Sequence, residues 1–225
     1  YKENGEIVTP ADHEMEDLIV DIIKQSFPEH QFICEEGSAS FVSKPRWIID
    51  PLDGSMNYFN GVPHYSVSIA FEGSRRHDIG LIYYVSEDNL YIAIEDGGAY
   101  RNETQLKISG PTTLQDALLV TGFDPVSLSE LDYDRFEALI DSTQGIRRMG
   151  SAAAELALVA DGVFDIFFER GLGVWDAAAG ILLIEEAGGT VTRVEGLKRS
   201  NDEMVLASNP AIHQDLLTVI SGSHD

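Results

Sequence analysis

The stretch Trp47 to Tyr58, WIIDPLDGSMNY, constrains this chain more than any other. Trp47-Ile48-Ile49 is an apolar run of strand type, and Pro51 fixes its own backbone angle and lacks an N–H donor. A regular strand is therefore predicted to break at Asp50. Asp50 and Asp53 sit on a rigid turn and can converge on one point, while Gly54 lets the backbone approach a ligand closely. Such a turn suits a hard divalent cation held beside a phosphate. Asp-Pro and Asp-Gly are also ordinary turn signals, and a bare DPxDG matches by chance. Two further acidic positions raise its standing: Glu35-Glu36 ends a strand-like run, and Trp175-Asp176 opens a helix-like one. An oxygen-only donor set without His or Cys favours magnesium over zinc.

Around this stretch the chain alternates helix and strand signals. Thr9-Pro10-Ala11-Asp12 is a helix start, with Thr9 as N-cap and Asp12 closing a capping-box pattern. Met15, Leu18, Ile19, Ile22, Ile23 and Phe27 follow at helical spacing until Pro28. Asp12 reads equally as a capping residue or an active-site carboxylate. Gln31 to Glu36 is predicted as a strand delivering Glu35 and Glu36, a repelling pair unless cations or basic groups lie nearby. Glu36 fits a solvated role as well as a functional one, and Ser38 to Pro45 is a polar loop. Tyr65, Val67, Ile69 and Phe71 alternate with Ser66, Ser68 and Ala70 as in a half-buried strand, and Ile79 to Val85 pairs with Leu90 to Glu95 as a hairpin. His64, just before them, is read as a hydrogen-bonded structural histidine.

Breaker residues from Ser109 to Thr113 mark a boundary between halves 1–110 and 111–225. Beyond it, Ala117 to Phe123 is a strand and Leu131 to Ser142 a helix displaying Phe136, Leu139 and Ile140. Ser151 reads as the N-cap of a small-residue helix, Ala153 to Ala160, which Gly162 ends. Val163 to Phe168 is a strand ending at Glu169. Asp176 begins an Ala-rich helix, where an acid also suits the helix dipole. Met204 to Ser208 and Ala211 to Ile220 give a last strand and a last helix.

CEEGS at Cys34 to Ser38, the WIIDPLDGSMNY stretch, and VWDAAAGILLIEEAGG at Val174 to Gly189 resemble the inositol monophosphatase family of magnesium-dependent, lithium-sensitive sugar-phosphate phosphatases, in the family's order. The resemblance implies a layered α/β fold, an αβαβα sandwich with an N-terminal antiparallel sheet carrying most metal ligands. A smaller C-terminal α/β half would supply the last ligand and substrate contacts. It also implies two or three Mg²⁺ ions, with Glu35, Asp50 and the Leu52 carbonyl at the first and Asp50, Asp53 and Asp176 at the second. Glu35 would serve a weaker third. Catalytic roles fall to Asp12, Glu35 and Ser55, the Ser55 hydroxyl orienting the attacking water beside Asp12. The Gly54 and Ser55 amides would cradle the phosphate, and Asp53, Ala152, Glu169 and Asp176 would border the substrate. Ser55 replaces the family's commonest Thr, keeping the hydroxyl and losing the β-branch.

The activity implied is hydrolysis of a phosphate monoester of inositol or a related sugar. DPLDGS followed by Asn also occurs in archaeal members that act on fructose 1,6-bisphosphate. That substrate, and NADP or a nucleotide 3′-phosphate, are alternatives on the same scaffold. A catalytically retired regulatory binding protein is the alternative of another class, against which the complete acidic set argues. Family members are commonly dimers, so a homodimer is expected. They usually begin with a long helix before this point, so the N-terminus reads as short.

Fifteen basic against 38 acidic residues give a net charge of −23, which argues against a nucleic-acid or anionic-membrane surface. A phosphorylated substrate would be repelled unless bound cations inverted the local field. No apolar run has the length of a membrane span and no signal-peptide pattern opens the chain. Cys34 is the one cysteine, so no intramolecular disulfide is available and a cytoplasmic setting is expected. It stands where the family usually has Gly, and is read as a small side chain tucked beside the acidic cluster.

Overall fold

The computed structural model describes residues 7–37, 43–73, 78–123, 130–194 and 204–222. Tyr1 to Glu6, and Ser38 to Val42 of the polar loop, lie outside them. Thr9 turns the chain into α1 (Pro10–Ser26), as its Thr-Pro start predicts. β1 (Gln31–Cys34) pairs in parallel with β2 (Arg46–Asp53). It ends before Glu36, although the Glu35 N–H still donates to the Ile49 carbonyl at 3.1 Å.

β2 corrects the expectation of a break at Asp50. It continues to Asp53 against β3 (Ser66–Glu72), with a register shift between Asp50 and Asp53. Pro51 has no N–H for the ladder, and this bulge absorbs it while both aspartates stay on the strand. α2 (Ser55–Asn60) lies between the two strands in sequence. β4 (Ile79–Tyr84), β5 (Asn89–Ile94), β6 (Gly98–Arg101) and β7 (Thr104–Gln105) complete a seven-stranded sheet in the order β1-β2-β3-β4-β5-β6-β7. β6 and β7 are short and carry no apolar run, so the sequence gives no sign of them.

The rest of the chain supplies β8 (Leu118–Thr121), α3 (Glu130–Ser142), β9 (Gly145–Arg147), α4 (Ala152–Ala160), β10 (Ile166–Arg170) and α5 (Val174–Glu186). β11 (Thr190–Val194), β12 (Met204–Ser208) and α6 (Pro210–Ser221) follow. Their strands form a five-stranded mixed sheet in the order β11-β12-β10-β8-β9. β10 carries Phe167 in one apolar cluster and Ile166 and Phe168 in the other; β12 divides Val205 and Ala207 from Met204 and Leu206 in the same way. Both faces of this sheet are thus covered, which is why its three central strands, β12, β10 and β8, carry unbroken apolar runs.

α4 and α5 fill the space between the sheets, α1 covers the outer face of the first, and α3 and α6 cover the outer face of the second. This is the alternating αβαβα sandwich. Leu139 of α3 is buried, whereas Ile140, expected on the same apolar face, is 59% exposed. The middle layer is thin because its residues are small. A Cβ at Gly80 would lie 2.8 Å from the Ala179 carbonyl oxygen, so α5 rests directly on the backbone of β4.

That closeness reverses the faces of β3. The alternation holds, but the small side chains Ser66, Ser68 and Ala70 point into the sandwich and are fully buried, while Ile69 and Phe71 face outward and are half-buried. Phe71 stacks on His30 and packs at a tilt against Trp47 there, and the Ser68 hydroxyl donates to the Trp175 carbonyl on the inner side. Side-chain size under a helix decides the face, where polarity alone suggests the opposite.

Candidate metal centre

Asp50 and Asp53 reach the C-terminal end of β2, and α5 begins beside them with Asp176 in its first turn. Carboxylate oxygens of Asp50, Asp53 and Asp176 lie within 4.8 Å of one another. Each is also fixed by local bonds. Asp50 accepts the Leu52 N–H at 3.0 Å, and Asp176 accepts the Gly173 N–H at 2.7 Å. Asp53 accepts the Ser151 hydroxyl at 2.5 Å, the Ser66 hydroxyl at 3.1 Å, and the Ala152 and Ala153 N–H groups at 3.1 and 2.8 Å. The last two belong to the first turn of α4, whose dipole favours an anion.

Electrostatically the cluster is under-compensated. Burial pushes all three carboxyls up, Asp176 to about 8, and the neighbouring carboxylates push Asp50 and Asp176 further. At Asp53 the bonds from Ser151, Ala153 and Ser66 oppose that rise. Glu35 follows the end of β1, and its charge acts on both Asp50 and Asp176. An all-oxygen set in which desolvation and mutual repulsion disfavour the charged forms is what a hard divalent cation relieves. The residues present therefore fit a divalent cation.

The remaining expected residues stand as follows. The Ser55 hydroxyl bonds to Asp12 and lies 2.9 Å from the Leu52 carbonyl oxygen. Asp12 is buried, and its other oxygen accepts both the N–H and the hydroxyl of Thr9, at 2.7 and 2.6 Å. Capping and contact with the site thus coexist in one carboxylate. Gly54 has φ of 92°, and a Cβ there would press within 3.2 Å of the Gly150 carbonyl and 3.1 Å of the His64 carbonyl. Ala152 is buried above Asp53.

Glu169 lies at the end of β10, where burial first and then the charges of Glu155, Asp176 and Asp53 hold its carboxyl well above the usual range. A side chain at Gly122 would collide with it at 2.2 Å. Glu36 is turned toward α1, its N–H donating to Glu16 at 2.9 Å. Cys34 is buried and its thiol is pushed up to about 12, the state of a packing residue. His64 is buried, with Nδ1 2.9 Å from the Tyr84 hydroxyl.

Sequence reasoning missed three participants. Ser151 caps nothing with its side chain; its hydroxyl goes to Asp53 instead. Asn57 donates from Nδ2 to the His64, Met149 and Gly150 carbonyls at 2.7, 2.8 and 3.2 Å, tying α2 to the loop before α4. Glu155 accepts the Met149 and Gly150 N–H groups at 3.1 and 2.7 Å. Only Asn57, inside the WIIDPLDGSMNY stretch, offered a signal. No helix among the described residues is long and apolar enough to cross a membrane.

Residues 1–224 match the sequence model of the inositol monophosphatase family. An inositol-1-monophosphatase of Mesorhizobium japonicum is 38% identical over 221 residues, covering 96% of this chain and 83% of the relative. A Nus factor SuhB of Haemophilus influenzae is 40% identical over 191 residues, covering 83% and 72%. The crystal structure of the extragenic suppressor protein suhB of Bartonella henselae superposes with a TM-score of 0.92 at 32% identity, covering 100% of this chain and 89% of that one.

Proposed function

This chain belongs to the inositol monophosphatase family, whose members are metal-dependent phosphatases, and from that premise we propose that it hydrolyses a phosphate monoester of inositol or a related sugar with Mg²⁺ as the bound ion. The observation that carries this reading is the convergence of Asp50, Asp53 and Asp176 within 4.8 Å. Asp50, Asp53 and Asp176 would hold one ion, Asp50, Glu35 and the Leu52 carbonyl another, and Glu35 would serve a weaker third. Bound magnesium would supply Lewis acidity and the positive charge that a phosphorylated substrate needs at so acidic a protein.

The chain's own residues do the rest. With its proton directed at Asp12, the Ser55 hydroxyl presents lone pairs to a water and can orient it for attack on phosphorus. Asp12, held by Thr9, keeps that hydroxyl in place. The Gly54 and Ser55 amides face the phosphate, and Ala152 and Glu169 border the sugar, Glu169 accepting from a hydroxyl. Residues 1–110 and 111–225 act as two halves of this one site. The alternative substrates, fructose 1,6-bisphosphate, NADP and nucleotide 3′-phosphates, would use the same machinery.

The test is phosphate release from a panel of these substrates, with Mg²⁺ and with chelator. Metal-dependent turnover is expected, falling at least a thousandfold in Asp53→Asn, on the order of losing a group that acts in the transition state. No release from any member would sink the phosphatase reading. A regulatory role is a second reading, favoured by the Haemophilus relative's name, Nus factor SuhB. It would show as a function that Asp53→Asn leaves intact.

A further inference from the structure

α4 is apolar along its length except at Glu155, which is fully buried. An acid in that position costs desolvation, and only one of its oxygens is used. Oε1 accepts the Met149 N–H at 3.1 Å and the Gly150 N–H at 2.7 Å, while Oε2 has no partner among the described residues. Met149 and Gly150 lie on the exposed strip just before α4, where Gly150 turns the chain with φ of 89°. The next three residues reach the cation site. The Ser151 hydroxyl donates to Asp53 at 2.5 Å, and the Ala152 and Ala153 N–H groups donate to it at 3.1 and 2.8 Å. Glu155 thus stands one hydrogen bond and one residue away from the donors that fix Asp53. Asn57 holds the carbonyls of Met149 and Gly150, so the two side chains grip the strip from opposite edges.

We propose that Glu155 is a positioning residue for the cation site: by holding the Met149 and Gly150 N–H groups it sets the turn that brings Ser151 and the Ala152 and Ala153 amides onto Asp53, and so raises the affinity for Mg²⁺. The inference rests on the magnesium reading above and adds to it a residue that touches no ion. A carboxylate ligand must stand at the right angle as well as in the right place, and the groups that hydrogen-bond it set that angle. A hydrophobic side chain of similar size would fill the same space in an Ala-rich interior, so packing alone does not call for an acid at this position.

Isothermal titration calorimetry with Mg²⁺ and no substrate tests this. Burial pushes the Glu155 carboxyl up to about 8, so at pH 7 Gln is its close mimic and keeps the oxygen that accepts both N–H groups. Glu155→Met keeps the volume and loses that acceptor. The Kd for Mg²⁺ should rise about tenfold in Glu155→Met and stay within about threefold of wild type in Glu155→Gln. Ser151→Ala should also weaken binding. Combined with Glu155→Met it should cost less than the product of the two single effects, because both act through one turn. Should Glu155→Met not fold, the wild type decides: amide hydrogen exchange at Met149 and Gly150 should slow when Mg²⁺ binds, since coupling runs in both directions. An unchanged Kd in Glu155→Met, an equal loss in Glu155→Gln, fully multiplicative effects, or exchange indifferent to Mg²⁺ overturns the inference while leaving the metal site in place. A wild type that binds no Mg²⁺ removes both.

Discussion

At the scale of single residues, Ser55 is the group most sensitive to a small change. Its hydroxyl sits between Asp12 and the Leu52 carbonyl. Ser55→Ala removes it while leaving Asp50, Asp53 and Asp176 of the cation site in place, so kcat should fall on the order of a hundredfold with KM little changed. Ser55→Thr should keep most of the rate; steady-state kinetics on the preferred substrate would separate the two. Glu155 sets a different expectation, about stability. It is fully buried, its Oε2 has no hydrogen-bond partner among the described residues, and burial pushes its carboxyl up to about 8. The folded chain therefore holds this proton to higher pH than the unfolded chain does. The linked stability is complete below the unfolded value of 4.5 and is lost as pH rises through about 8. Glu155→Gln should flatten that loss and gain about 2 kcal/mol at pH 9 relative to wild type, measured by urea unfolding at several pH values. Asp50, Asp53 and Asp176 were visible as candidates because turn chemistry and element ends mark them in the sequence. Glu155 was not, because nothing in an Ala-rich run says which oxygen will lack a partner.

At the scale of elements, contact between α5 and the first sheet depends on absent side chains. Gly80→Ala would drive a methyl group into the backbone of Ala179, which has nowhere to yield. A loss of about 2 kcal/mol is expected in denaturant melts, with activity per folded molecule falling as α5 and its Asp176 shift. The loop before α4 is the other joint. Asn57→Ala would strip hydrogen bonds from the His64, Met149 and Gly150 carbonyls at once. It should cost about 1–3 kcal/mol and raise KM, because that loop leads into Ala152, which is proposed to border the substrate. Most elements were legible beforehand from apolar spacing and from punctuation such as Pro10 and Pro28. The inner face of β3 was not: Ser66, Ser68 and Ala70 are buried because an Ala-rich helix lies on them, and that neighbour comes from a distant part of the chain.

At the scale of the whole molecule, a net charge of −23 and a buried acidic cluster act together. A cation that binds only the folded chain stabilises it by mass action, about 2.7 kcal/mol at a hundred times its Kd. Mg²⁺ should therefore raise the melting temperature of the wild type well beyond the effect of NaCl at equal ionic strength. In Asp53→Asn with Asp176→Asn the excess effect of Mg²⁺ over NaCl should shrink markedly, and differential scanning fluorimetry would show it. The sequence by itself determined the chemistry available: the oxygen donors, the Pro51 and Gly54 that shape their turn, and the apolar periods that build the layers. These follow from local backbone geometry and from which residues water rejects. Only the tertiary structure decided that Asp176 closes on Asp50 and Asp53, and that the first turn of α4 gives its amides to Asp53 across 99 residues of chain. Those pairings depend on how closely two sheets and the helices between them approach, which side-chain volume summed over the whole core sets and no short stretch contains.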